Sequence, residues 1–298
     1  MSAQTPPTRQ NYADAVGGAP VGVEASSPAW ADAAASGHAG WAGHHSADEI
    51  LRAAAEWVWM PGGSEHDEGD IHLARYPARF GGGVRGSRVR SCHDARTVVE
   101  RAVERTREWG ESTLTIWTSG SDAPGLDDEL RRRGAEHIDT VAVFALPLDA
   151  AAISVPSGIE SEIVRTMEQV RDVDAINVDV WQQQPLDAEG LQAELDDVRA
   201  ALADGSGLRV LARIDGEAVS TAGCTIVGGF TRLWGAATLP HARGRGAYRA
   251  VLAERLRASG QRGAATALVK GRHATSAPIL ARCGFTHFGD ERAFRLAV

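Results

Sequence analysis

The chain repeats itself. Residues Ala95–Trp109 carry Val98, Val99, Ala102, Val103 and Thr106 at helical spacing, and a β-rich run, Thr113–Trp117, follows. A second helix over Pro124–Arg133 sets Leu126 and Leu130 four apart, closes at Gly134 and gives way to the apolar run Thr140–Leu146. About 150 residues later the order returns. Gly246–Ser259 is a helix with Tyr248, Val251, Leu252 and Leu256 on one stripe, and Ala265–Val269 reads as a strand. Thr275–Cys283 is a helix with Ser276, Ile279, Leu280 and Cys283 on one face; it closes at Gly284, before the run Ala293–Leu296. Agreement at the strand and at the closing glycine predicts a duplicated α/β unit. With 298 residues the chain is long enough to bury two cores.

Three segments follow. Residues 1–45 are rich in Ala, Gly, Ser and Pro without apolar period, which predicts a flexible tail. Residues 46–150 form the first domain, opening at the helix-capping sequence Ser46-Ala-Asp-Glu49. Residues 151–298 form the second, after a linker over Pro147–Pro156. In the second domain the pattern predicts a strand at Ile159–Arg165 and a helix at Met167–Trp181. Another helix, introduced by Pro185-Leu-Asp187, leads to strands at Leu208–Ile214, Glu217–Val227 and Phe230–Leu239. Asp215-Gly216 is a tight hairpin turn. The predicted order is β-α-α-β-β-β-α-β-α-β-β, an α/β fold with a mixed sheet.

Composition narrows the function. The 39 acidic and 31 basic side chains give a net charge of −8, which disfavours nucleic acid and suits an amine-bearing substrate. The three cysteines, Cys92, Cys224 and Cys283, lack C-x-x-C spacing, and the ten histidines show no metal-ligand spacing; no metal site is expected. No apolar run approaches the ~18 residues of a membrane span. A cytoplasmic protein without a membrane partner is the expectation, with the oligomeric state left open.

Chemistry concentrates at Thr238-Leu-Pro-His-Ala-Arg-Gly-Arg-Gly-Ala-Tyr-Arg249. A strand ends, Pro240 blocks its continuation, and a glycine-interrupted turn feeds an amphipathic helix. Such a helix start points unpaired N–H groups outward at the positive end of its dipole, the arrangement that binds phosphate. Arg243, Arg245 and Arg249 add charge. Neither the third glycine of a dinucleotide fingerprint nor the Lys-Ser/Thr of a P-loop is present.

Arg243-Gly-Arg-Gly-Ala-Tyr248 resembles the Arg/Gln-x-x-Gly-x-Gly/Ala motif of the GCN5-related N-acetyltransferases (GNAT), and Ser276–Phe285 resembles that family's later helix ending in Gly-Phe. The likeness covers about 140 residues, from Ile159 onward, and extends in weaker form to the first half. It implies a GNAT acyl-CoA N-acyltransferase fold in tandem, with the first copy degenerate. It implies acetyl-CoA as co-substrate, its diphosphate on the backbone of Gly244, Arg245, Gly246, Ala247 and Tyr248. Its pantetheine arm would run beside Ala236, Ala237 and Thr238, where the strand splays from Ala265–Val269. Direct attack by a small-molecule amine in a ternary complex is the route the family implies.

Three positions depart from the pattern. Tyr248 replaces the usual last Gly or Ala, His273 a common Asn, and Leu280 the Tyr that protonates the departing thiolate. Ser276, His273, Tyr248 and Glu217 remain as candidate catalytic groups, each with a plain alternative: cap, surface histidine, packing ring and solvated carboxylate. Ser276 is also a candidate CoA contact. The first copy opens its helix at Ser91-Cys-His-Asp-Ala95 without a glycine-rich turn. An acyl-CoA-binding regulatory module without turnover is the alternative function.

Overall fold

A computed structural model of the chain describes residues 41, 44–60, 63–78, 81–90, 93–120, 122 and 124–298. The tail expected over residues 1–45 lies almost wholly outside the described residues, as does Cys92. The first half forms α1 (Ala47–Ala55), β1 (Glu65–Glu68), β2 (His72–Arg75), β3 (Val84–Ser87), α2 (Ala95–Glu108), β4 (Thr113–Ser119), α3 (Leu126–Arg132) and β5 (Glu136–Pro147). The second half continues with β6 (Ile159–Ile163), α4 (Met167–Trp181), α5 (Ala188–Asp204), β7 (Gly207–Ile214), β8 (Glu217–Val227) and β9 (Phe230–Thr238). It ends with α6 (Ala247–Gly260), β10 (Thr266–Arg272), α7 (Ala277–Arg282) and β11 (Thr286–Ala297).

The repeat holds element by element. Helices α2 and α6 each span 14 residues, strands β4 and β10 each 7, and strands β5 and β11 each 12. Gly134 and Gly284 stop their helices alike, at φ 80° and 88°, with their N–H groups donating to Arg131 O at 2.9 Å and Ala281 O at 3.0 Å. Only glycine takes that left-handed turn without strain. Two expectations are corrected. Helix α7 has 6 residues rather than the span Thr275–Cys283, and the second half ends in one long strand, not two.

The chain divides into two compact units, one gathering His45–Phe144 with Lys270–Val298 and the other gathering Trp41–His44 with Ala145–Val269. In the first, the sheet runs β1-β2-β3-β4-β11-β5, with β3 and β4 parallel and β4 and β11 antiparallel. Val98, Val99 and Ala102 of α2 pack on Leu114 and Ile116 of β4 and Phe294 of β11 in one core. Each buried Val, Leu, Ile or Phe side chain among them contributes about 1.5–3 kcal/mol. Helix α1 starts with a complete capping box between Ser46 and Glu49.

Just past β4, the carboxylate of Asp122 accepts from Ser119 N at 2.5 Å and Ser119 Oγ at 3.0 Å. Burial, reinforced by the charges of Glu291 and Asp127, raises its pKa to about 6. Between about pH 4, where the unfolded carboxyl titrates, and pH 6, the folded chain therefore holds more protons than the unfolded one. Stability falls as pH rises through that window, by on the order of 2 kcal/mol after solvent screening. Asp122→Asn is expected to melt above the parent protein at pH 7.5 and level with it at pH 4, as calorimetry at the two pH values will reveal.

In the second unit the strands run β6-β7-β8-β9-β10, antiparallel up to β9, with β9 and β10 parallel. Asp215 and Gly216, both at positive φ (51° and 80°), turn β7 into β8 as predicted. Helix α4 packs on β8 and β9, α5 on β7 and α4, and α6 on β6 through β9. Val173 and Ile176 of α4, Leu195 of α5, Leu211 of β7 and Ala237 of β9 share one apolar cluster, which the Trp181 ring flanks.

Candidate functional site

Strand β9 leaves its parallel neighbour partway. Phe230, Thr231 and Arg232 pair with Thr266, Ala267 and Leu268, and the pairing goes no further. On its other flank β9 stays bound to β8 out to Thr238↔Ser220. Two hydrogen bonds pin that end: Ser220 Oγ donates to Ala237 O at 2.9 Å and lies 2.8 Å from Thr238 Oγ1. An extra residue sits in β9 between the pairs Trp234↔Gly223 and Ala237↔Thr221. Gly235, at φ 61°, makes this bulge possible, and bulges bend a strand and sharpen its twist. Ala236 is exposed and Ala237 buried, so the bulged half of β9 presents small side chains beside an open edge.

Beyond Thr238 the chain makes a short 3₁₀ turn, Pro240–Ala242, anchored by buried Ala242. Gly244 (φ 75°) and Gly246 (φ 97°) then swing it into α6. The two glycines have different reasons. A Cβ on Gly246 would sit 2.6 Å from Pro156 Cγ and 2.7 Å from its Cδ, so the linker's last proline backs the turn. A Cβ on Gly244 would meet nothing within 4 Å. Among the described residues, the N–H groups of Gly244, Gly246 and Ala247 have no acceptor, while those of Arg243 and Arg245 reach Pro240 O (3.3 Å) and Ala242 O (3.4 Å). The first turn of α6 carries no acidic side chain, so nothing offsets the positive end of its dipole. The side chain of Arg243 donates back to Thr238 O at 3.2 Å, and Arg245 stands 3.7 Å from exposed Asp215. Arg249 is exposed.

Tyr248 does not stand in the turn as a free phenol. It interacts electrostatically with the guanidinium of Arg255, which is 1% exposed and donates to Gly223 O at 3.1 Å and Val251 O at 3.2 Å. Burial pulls the Arg255 pKa down, and the phenol opposes that. Tyr248→Phe is expected to destabilise the protein by about 1–3 kcal/mol in urea unfolding, because it removes the polar oxygen that offsets the burial of a cation. Acetyl-CoA affinity should stay within about threefold; a 100-fold fall in turnover at unchanged stability would instead make the phenol catalytic.

The remaining candidates fall elsewhere. Glu217 is exposed and lies 3.3 Å from exposed His241, as a solvated pair. His273 and Ser276 belong to the other compact unit. There His273 and His287 each stand 2.9 Å from one oxygen of Asp290, holding that carboxyl well below the usual range against the opposing effect of burial. Ser276 Oγ does not cap α7; it accepts from Arg272 N at 2.8 Å. Leu280 is fully buried, so no phenol replaces the missing one at that position. Cys283, on the same predicted helix face as Leu280, is only half-buried. Trp234 lies flat on Gly223, donating Nε1–H to Thr225 Oγ1 at 3.0 Å, with Arg209 stacked 5.0 Å from its ring. Among the described residues no group of three His, Cys, Asp or Glu side chains could hold a metal. No described helix is long and apolar enough to cross a membrane.

Residues 172–285 match the family model described as "Acetyltransferase (GNAT) family". Comparison with curated proteins returns no match. Among solved structures, a tandem GNAT protein from the clavulanic acid biosynthesis pathway superposes with TM-score 0.59 at 15% identity, over 90% of this chain and 93% of that one. A GCN5-related N-acetyltransferase from Sphaerobacter thermophilus gives 0.58 at 19%, over 94% and 95%. One from Kribbella flavida gives 0.57 at 21%, over 78% and 89%. The chain has the mixed α/β fold of these solved proteins, and its residues 172–285 match the GNAT family model.

Proposed function

We propose that the chain transfers an acetyl group from acetyl-CoA to an amine of a small molecule, by direct attack in a ternary complex. One observation carries the reading: β9 abandons β10 after Arg232 while the helix that follows β9 opens with unclaimed amides at Gly244, Gly246 and Ala247. The amides and Arg245 hold the diphosphate; the open edge at Ala236, Ala237 and Thr238 takes the pantetheine arm. The neutral amine attacks the thioester carbon, the carbon–sulfur bond breaks, and the thiolate leaves with its electron pair. The ammonium proton goes to water. Positioning supplies most of the rate in this scheme.

In the same reading residues 46–150 are a degenerate copy without a working site. The N-terminus of α2 already has its anion, since Asp94 accepts from Thr97 N at 2.8 Å, whereas α6 opens on Gly246 with none. Titration of the full chain with acetyl-CoA in a calorimeter, followed by thiol release over an amine panel, tests the proposal. Absence of binding at sub-millimolar acetyl-CoA sinks it. Binding without thiol release would favour a regulatory acyl-CoA-binding module, a reading supported by buried Leu280 and by the engagement of Ser276 Oγ with Arg272.

A further inference from the structure

Three acidic side chains are buried among the described residues: Glu129, Glu291 and Asp174. Glu129 is held by Arg132 and Arg133, each at 2.5 Å, and Glu291 by Lys270 at 2.7 Å. Asp174 has no basic partner among the described residues. One of its oxygens, Oδ2, accepts from Leu186 N at 3.1 Å and ties down the α4–α5 linker; Oδ1 is buried with no partner at all. A carboxylate left this way costs several kcal/mol unless a cation joins it.

Asp174 is not alone on its stripe. Asn177 and Trp181 follow at three and seven residues, which puts all three along one side of α4. Asn177 is 4% exposed and its Oδ1 is also unpartnered, as are Gln183 Oε1 just past the helix and Trp181 Nε1. Three of these four atoms accept hydrogen bonds and one donates. The Trp181 ring packs on the cluster that contains Ala237, so this stripe ends against the half of β9 that has left β10. A buried carboxylate, with the unpartnered amide carbonyls of Asn177 on the same side of α4 and of Gln183 on the linker that it ties down, is suited to a group that carries several N–H donors and a positive charge.

We propose that Asp174, with Asn177 and Gln183, binds a cationic nitrogen of the acceptor other than the one that is acetylated, so that the substrate is a diamine or a longer polybasic amine. The inference rests on the acetyl-transfer reading for the identity of the site, and its test is independent of that reading. The reacting amine must be neutral to attack, so a charged nitrogen held here is a second one. Asp174 is a specificity residue in this scheme and touches no reacting atom. Burial also raises its pKa in the free protein, opposed only by the Leu186 N–H, as expected of a carboxylate awaiting its counter-charge.

The experiment is calorimetric titration of the full chain, without acetyl-CoA, using 1,4-diaminobutane and its homologues of three to six carbons against butylamine. Asp174→Asn keeps an oxygen for Leu186 N and removes the charge; Gln183→Leu, at a half-buried loop position, is the second variant. The parent protein is expected to bind its best diamine at least about tenfold more tightly than butylamine. Asp174→Asn should erase that preference, and Gln183→Leu should weaken the diamine about threefold. Equal affinity for diamine and monoamine, or a diamine affinity unmoved in Asp174→Asn at intact folding, overturns the proposal. If acetyl-CoA fails to bind while the diamine still binds through Asp174, the transfer reading falls and the diamine site alone stands.

Discussion

Gly244→Glu is expected to weaken acetyl-CoA binding by at least about 100-fold, close to 3 kcal/mol, while the protein still folds. The position separates the two duties of the turn. A side chain at Gly244 meets no atom within 4 Å, so the substitution clashes with nothing in the free protein. Its backbone sits at φ 75°, where a non-glycine residue costs about 1–2 kcal/mol, a loss the whole chain can absorb. The new carboxylate would stand among amides that have no acceptor and beside Arg243 and Arg245, occupying the diphosphate position with the wrong ion. Gly246 is the less useful probe. There φ 97° and the approach of Pro156 to 2.6 Å mean that any side chain disturbs the linker as well, so lost binding could not be separated from lost structure. Calorimetry against acetyl-CoA, with melting temperature as the folding control, decides. An unchanged Kd would mean that the helix opening does not hold phosphate.

Much of this arrangement is legible in the sequence, and the reasons are local. Met167–Trp181 is a helix at both ends as expected, because Thr166 and Gln169 form a capping box and the apolar period runs unbroken between them. The Asp215-Gly216 turn and the glycine-interrupted start of α6 announce themselves through residues that few other conformations tolerate. Strands β1 to β3 escape notice for the opposite reason. Each has four residues, and Glu65–Glu68 is wholly polar, so pairing with a neighbour rather than any alternation makes it a strand. Strand β11 hides behind Asp290, Glu291 and Arg292, charged positions of which the last two pair with β4 in the sheet. The bulge at Gly235 had a signal, a lone glycine within a strand pattern. Asp174, Asn177 and Arg255 had none. A polar side chain on a helix reads as solvated until packing shows which face the helix buries.

Ala236→Trp is expected to block the pantetheine arm without touching the diphosphate, which makes it the complement of the glycine substitution. The residue follows the bulge at Gly235, is exposed, and lies on the stretch of β9 that pairs with β8 and no longer with β10. An indole there would cover the edge that the arm needs, and the strand would stay anchored through Ser220, whose hydroxyl bonds Ala237 O. Acetyl-CoA affinity should fall at least about 30-fold, roughly 2 kcal/mol, because the arm loses both its contact area and its route. A CoA fragment ending at its diphosphate should bind the variant as well as it binds the parent protein. Gly244→Glu should reject both ligands. The pattern of two variants against two ligands carries the argument, since general damage to the unit lowers all four affinities together. Should Ala236→Trp bind intact acetyl-CoA normally, the open edge of β9 is not the channel, and the divergence of β9 from β10 serves the fold alone.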